Sequence, residues 1–140
     1  MPDAPAAGCT RLSEAVIFLD TSVLLDALTG PKASLSTLRS LLTAGERIAL
    51  PSLVLYEWLR GPRTADELTD QEHLLPAPSA VPFTSEDAAL GARLYRSARR
   101  ARAREIDIAI AACVIRHEAD LWTLHAADFE DIPELRLLRI

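Results

Sequence analysis

An unbroken apolar run, Ala15-Val16-Ile17-Phe18-Leu19, stops at Asp20 and predicts a buried strand. Ser22–Leu28 then predicts a short helix, closed by Gly30-Pro31, where glycine suits a left-handed cap and proline cannot continue the helix. Leu35, Leu38, Leu41 and Leu42 recur at helical spacing as far as Gly45, and Ile48–Leu50 follows as a short strand. Pro51 and Ser52 open a helix that carries Leu53, Val54, Glu57 and Trp58 and ends at Gly61-Pro62; Ala65–Leu75 predicts another. After a loop over Pro76–Pro82 and a weak strand at Val81–Phe83, Thr84 or Ser85 caps a helix with Glu86 or Asp87 in its first turn. Ala89, Leu90 and Leu94 carry that helix into an arginine-rich stretch. Ile108, Ala111, Ala112 and Ile115 mark the buried face of a helix beginning near Asp107, and Leu121–Thr123 and Leu135–Leu138 predict two more strands. Strands alternating with helices predict an α/β fold with a mostly parallel sheet of four to five strands.

Residues 1–14, rich in alanine and proline without periodicity, predict a flexible lead-in, which leaves 15–140 as one domain of the 140-residue chain. The apolar runs fall short of the roughly 20 residues that span a bilayer, and no basic segment with an apolar core opens the chain, so a cytoplasmic protein is expected. Cys9 falls in the lead-in and Cys113 on a buried helix face, so both are expected as free thiols. The net charge of −5 hides an uneven distribution. Arg93, Arg96, Arg99, Arg100, Arg102 and Arg104 fill a window without acids, leaving the rest of the chain at −11. That contrast fits one basic surface for nucleic acid on an acidic body, or a solvated helix face.

Four acids stand out against this pattern. Asp20 ends the first strand and Asp128 follows the Leu121–Thr123 strand closely. Glu57 shares a helical stripe with Leu53 and Val54, where an uncompensated carboxylate is costly, and Asp107 heads the apolar run Ile108–Ala112. Taken singly, Asp20 and Asp107 also suit helix caps or first-turn acids, and Asp128 an ordinary turn. Taken together they suit a metal site, because ligands of parallel sheets bind beyond the carboxyl ends of the strands, and a hard cation such as Mg²⁺ relieves repulsion among the acids.

The segment Phe18–Leu28, opening Phe-Leu-Asp-Thr-Ser, resembles the first motif of PIN-domain nucleases, in particular the VapC toxins of bacterial toxin–antitoxin pairs. Pro51–Gly61 resembles the second-acid helix of that family, Asp107–Ala112 the third, and Trp122–Phe129 with Ile132–Leu135 the closing motif. The resemblance runs from about Val16 to Ile140. It implies a parallel sheet with helices on both faces and Mg²⁺- or Mn²⁺-dependent endoribonuclease activity. It also implies that Asp20, Glu57, Asp107 and Asp128 hold the metal, with Thr21, Ser22 and Thr123 as polar supports. Where the family commonly has Asn, this chain has His125. A homodimer and a VapB-type antitoxin are the implied partners. Arg100, Arg102 and Arg104 are candidates for RNA phosphate contacts, since Arg104 lies three residues before Asp107.

Other chemistries fit less well. A haloacid-dehalogenase-type phosphatase needs a second Asp where Ser22 stands, and a nucleotide-binding loop needs glycine where the chain reads Asp20-Thr21-Ser22-Val23. His73, His117 and His125 are expected as surface or locally bonded residues without cysteine partners, not as zinc ligands. Trp58, Trp122 and Tyr56 are expected in the core or an interface. The remaining alternatives are a catalytically silent PIN module, or a PIN nuclease of RNA processing outside toxin–antitoxin systems.

Overall fold

A computed structural model describes residues 15–140; the expected lead-in, Cys9 included, lies outside the described residues. Four short strands form one parallel sheet: β1 (Ile17–Leu19), β2 (Ile48–Ala49), β3 (Asp120–Trp122) and β4 (Arg136–Leu137), in the order β2-β1-β3-β4. Six helices flank it: α1 (Thr21–Leu28), α2 (Ala33–Thr43), α3 (Ser52–Arg60), α4 (Ala65–Leu74), α5 (Ser85–Ser97) and α6 (Glu105–Arg116). All three residues of β1 are buried, as a strand covered on both faces requires. Phe18 pairs with Ala49 on one side and Leu121 on the other, so β1 is the sheet's axis. Pairing continues one residue past β1, where the Asp20 amide donates to the Trp122 carbonyl at 2.9 Å. The β1 and β3 ends therefore stay in register at the point where chemistry begins.

The expected strand at Val81–Phe83 reduces to a single bridge between Val81 and Pro51. Pro82 has no amide hydrogen to extend the ladder. Gly30 takes the left-handed conformation expected of it, with φ +58°. The α5 helix begins in a capping box, Thr84 with Asp87, but stops at Ser97 and does not enter the arginine-rich stretch. There the chain turns through Arg100, at φ 52°, into a short 3₁₀ turn over Ala101–Arg104 that leads directly into α6. The arginines thus occupy a corner, not a continuous helical face.

Trp58 and Trp122 are buried in the core, with Phe18, Phe129 and Ile108 among their companions. Tyr56, by contrast, is 53 % exposed, and the Arg60 guanidinium lies 5.2 Å from its ring centroid. Cys113 is a free, buried thiol. No helix among the described residues is long and apolar enough to cross a membrane.

Candidate metal centre

Asp20 sits at the N-cap position of α1, yet its side chain makes no capping bond. It is 5 % exposed, and its Oδ2 accepts the Ser22 hydroxyl at 2.8 Å and the Thr123 hydroxyl at 2.7 Å. Those hydroxyls are oriented in turn. Ser22 Oγ accepts the Leu124 amide at 3.1 Å, and Thr123 Oγ1 accepts the His125 amide at 3.0 Å. Each hydroxyl accepts one backbone amide and donates its proton to the same carboxylate oxygen, and among the described residues Asp20 Oδ1 receives no hydrogen bond. The third hydroxyl expected beside these acids, Thr21, donates to Glu57 Oε1. Glu57 also meets Arg60 at 3.4 Å, across an exposed surface where the pair is weak.

The Asp107 carboxylate accepts no hydrogen bond among the described residues. Burial and then the charges of Asp20, Glu57 and Asp128 push its pKa up to about 6, with only Arg104 acting in the opposite direction. The charges that act on Asp107, in the first turn of α6, come from Asp20 just past β1, Glu57 on α3 and Asp128 in the 3₁₀ turn Ala126–Phe129. The contrast with first-turn acids elsewhere is sharp. Glu67 and Asp87 each complete a capping box with Thr64 and Thr84, so their charge serves the helix start. Asp87, fully buried, also receives Arg116 Nε at 2.9 Å. Its pKa is depressed: burial, the largest influence, raises it, but the Thr84 amide and Arg116 outweigh burial together. Asp107 also stands in the first turn of its helix, as the sequence allowed, but completes no capping box there.

The candidate donors are all carboxylate oxygens, a set that suits a hard divalent cation. Among the described residues, the trio of ligand-type side chains whose atoms all lie within 4.8 Å of one another is Asp87, Cys113 and His117. This corrects the expectation that no histidine has a cysteine partner: one helical turn brings Cys113 Sγ to 3.9 Å from His117 Nδ1. The trio is nonetheless already satisfied. His117 Nδ1 bonds the Cys113 carbonyl at 2.8 Å, Arg116 and Thr84 hold Asp87, and burial pushes the Cys113 thiol up to about 12. His117 is thus the locally bonded residue the sequence suggested, packed 5.3 Å from the Phe18 ring.

The arginines divide into two groups. Arg99, Arg100 and Arg102 are exposed, while the Arg104 side chain is only 15 % exposed and pairs with Asp131 at 2.7 Å. Arg99, Arg100, Arg104, Ala127, Asp128 and Asp131 line a depression of about 460 Å³ beside the acids. Nothing in the spacing of the sequence singled out Asp131; only its position opposite Arg104 does.

A four-stranded parallel sheet flanked by helices, with candidate acids just past β1, on α3, at the start of α6 and after β3, defines an α/β domain. The sequence pattern of the PIN domain matches residues 17–135, and the chain belongs to that family. It is 36 % identical over 121 residues to Ribonuclease VapC19 of Mycobacterium tuberculosis, covering 84 % of this chain and 95 % of that protein. Among solved structures, VapBC2 from Rickettsia felis bound to a promoter DNA fragment aligns with a TM-score of 0.68 at 20 % identity, over 88 % of this chain and 97 % of that one. DNA-bound VapBC from Salmonella typhimurium aligns at 0.68 and 18 % identity, over 89 % and 97 %. At such identities these structures speak for the fold.

Proposed function

We propose that this protein is a divalent-metal-dependent endoribonuclease and the toxin of a VapBC-type toxin–antitoxin pair. The observation that carries the proposal is Asp107, a half-buried carboxylate without a hydrogen bond among the described residues, its pKa raised to about 6 by burial and the charges of three other acids. Its likeness to Ribonuclease VapC19 supports RNA as the substrate. Asp20, through its unbonded Oδ1, and Asp107 are the principal ligands for Mg²⁺ or Mn²⁺; Glu57 is a ligand or orients the attacking water, and Asp128 completes the set. Asp20, Glu57, Asp107 and Asp128 would hold the cation, which would supply charge neutralisation at the scissile phosphodiester and a more acidic water. Ser22 and Thr123 fix the rotation of Asp20, and Thr21 that of Glu57, so the acids meet the substrate already oriented. Arg100 and Arg102, exposed at the neighbouring corner, contact RNA phosphates. The partners are RNA, a VapB-type antitoxin and a second copy of the chain, and the working compartment is the cytoplasm.

The test is incubation of pure protein with structured and single-stranded RNA in Mg²⁺ or Mn²⁺, with and without chelator. Cleavage that requires the metal is expected. Cleavage indifferent to chelator, or none with either metal across a broad RNA panel, rules the proposal out.

A further inference from the structure

One side chain joins the segment before Asp107 to the segment carrying Asp128. Arg104 Nη1 donates to the Arg99 carbonyl at 2.7 Å and to Asp131 Oδ2 at 3.0 Å. Its Nη2 donates to the Asp128 carbonyl at 2.7 Å and to Asp131 Oδ1 at 2.7 Å. The ion pair is bidentate and shielded, with side-chain exposures of 15 % and 14 %. The Arg99 amide adds a bond to Asp131 Oδ2 at 3.3 Å, and Arg100, in the same corner, is held at a positive φ of 52°. An arginine in the left-handed region persists only where its surroundings impose it. The corner is therefore fastened, and the fastener is Arg104.

Two simpler roles fit these contacts poorly. As a phosphate contact, Arg104 would have to surrender Asp131 and two carbonyls, while Arg100 and Arg102 stand exposed beside it. As a general staple it would have no reason to grip the backbone of an active-site acid. Yet it holds the Asp128 carbonyl itself, and its guanidinium lies within electrostatic reach of both Asp107 and Asp128. Asp128 is exposed and sits in a four-residue 3₁₀ turn, whose own bond at that residue is from its amide to the His125 carbonyl.

We propose that Arg104 is a positioning residue, which with Asp131 sets the Asp128 carboxylate against Asp107 and so completes the cation site. This rests on the metal-dependent reading above. Arg104 acts through Asp128, so its effect on cation binding should vanish when the Asp128 carboxylate is gone.

The experiment is a calorimetric Mn²⁺ titration of the wild-type protein and the Arg104→Gln, Asp131→Asn, Asp128→Asn and Arg104→Gln/Asp128→Asn variants, with circular dichroism to establish folding. Arg104→Gln and Asp131→Asn should each weaken Mn²⁺ binding about tenfold or more, the usual loss when a group orienting a ligand is removed. In the Asp128→Asn background, Arg104→Gln should add less than about a threefold change, the signature of two residues acting on one function. Arg104→Lys should not restore affinity, because an ammonium cannot reproduce the fork. Should Arg104→Gln fail to fold, Asp131→Asn decides, since it leaves Arg104 its two carbonyl bonds. Equal losses with and without the Asp128 carboxylate would overturn the positioning role in favour of a staple. Unchanged Mn²⁺ affinity with a shallower salt dependence of RNA binding would overturn it in favour of a phosphate contact. A wild-type protein that binds no Mn²⁺ would remove the metal reading itself, a failure distinguishable from either.

Discussion

Asp107 carries the conflict around which the site is arranged. Its pKa of about 6 stands above the ordinary 3.8 because burial and three neighbouring acids disfavour its charge. Between those values the folded protein binds more protons at this residue than the unfolded chain does. Its contribution therefore favours folding at low pH and is lost as pH rises through about 6. Asp107→Asn should accordingly stabilise the metal-free protein by about 1–3 kcal/mol at neutral pH, and by much less below pH 4, while abolishing cleavage. Asp20→Asn should also abolish cleavage without loss of folding. Urea melts in chelator at low and neutral pH measure the first effect; a difference between wild type and Asp107→Asn that does not grow with pH removes this account. The sequence made these residues legible as candidates, because acids interrupting apolar runs are conspicuous. It could not separate Asp107 from Asp87, also a first-turn acid, because the distinction lies in their surroundings: Thr84 and Arg116 bond the one, while the charges of other carboxylates act on the other.

At the level of elements, the corner between α5 and α6 shows where pattern reading stops. Helical spacing located both helices, but six arginines across the junction read as a continuous extension of α5. The chain instead bends after Ser97, with Ala98 in extended conformation and Arg100 left-handed, because Arg104 and Asp131 hold the turn. Contacts between residues 27 apart leave no local signal. The bend divides the arginines by exposure, and salt dependence can read the division. Replacing Arg100 and Arg102 with Gln should weaken RNA binding across sequences and lower the slope of log affinity against log salt by about one unit or less per lost contact. Mn²⁺ affinity should hold, since neither residue bonds an acid of the site. An unchanged slope returns both residues to the solvated-surface alternative.

For the whole molecule, the arrangement leaves an acidic site open beside exposed apolar surface on the same helix. Glu57 lies on α3 with Tyr56, 53 % exposed, and Leu59, 51 % exposed, as its neighbours. A partner segment laid along this surface could bury both and direct an arginine or lysine at the carboxylates, replacing the compensation that a cation supplies. An antitoxin acting this way makes metal and partner competitors. The complex should then bind Mn²⁺ more weakly than the free protein, and co-expression of the partner should rescue growth arrested by the toxin. Expression of Asp20→Asn should be harmless with or without the partner, because arrest depends on cleavage. Charge replacement also predicts that changing the partner's inserted cation to Ala restores much of the Mn²⁺ affinity in the complex, while burial of Tyr56 and Leu59 keeps the two proteins together. Equal Mn²⁺ affinity in the free and bound forms would mean that the partner inhibits from outside the acid cluster. If free expression is harmless in the native host and no neighbouring reading frame yields a binding protein, the toxin role fails while metal-dependent RNA cleavage stands.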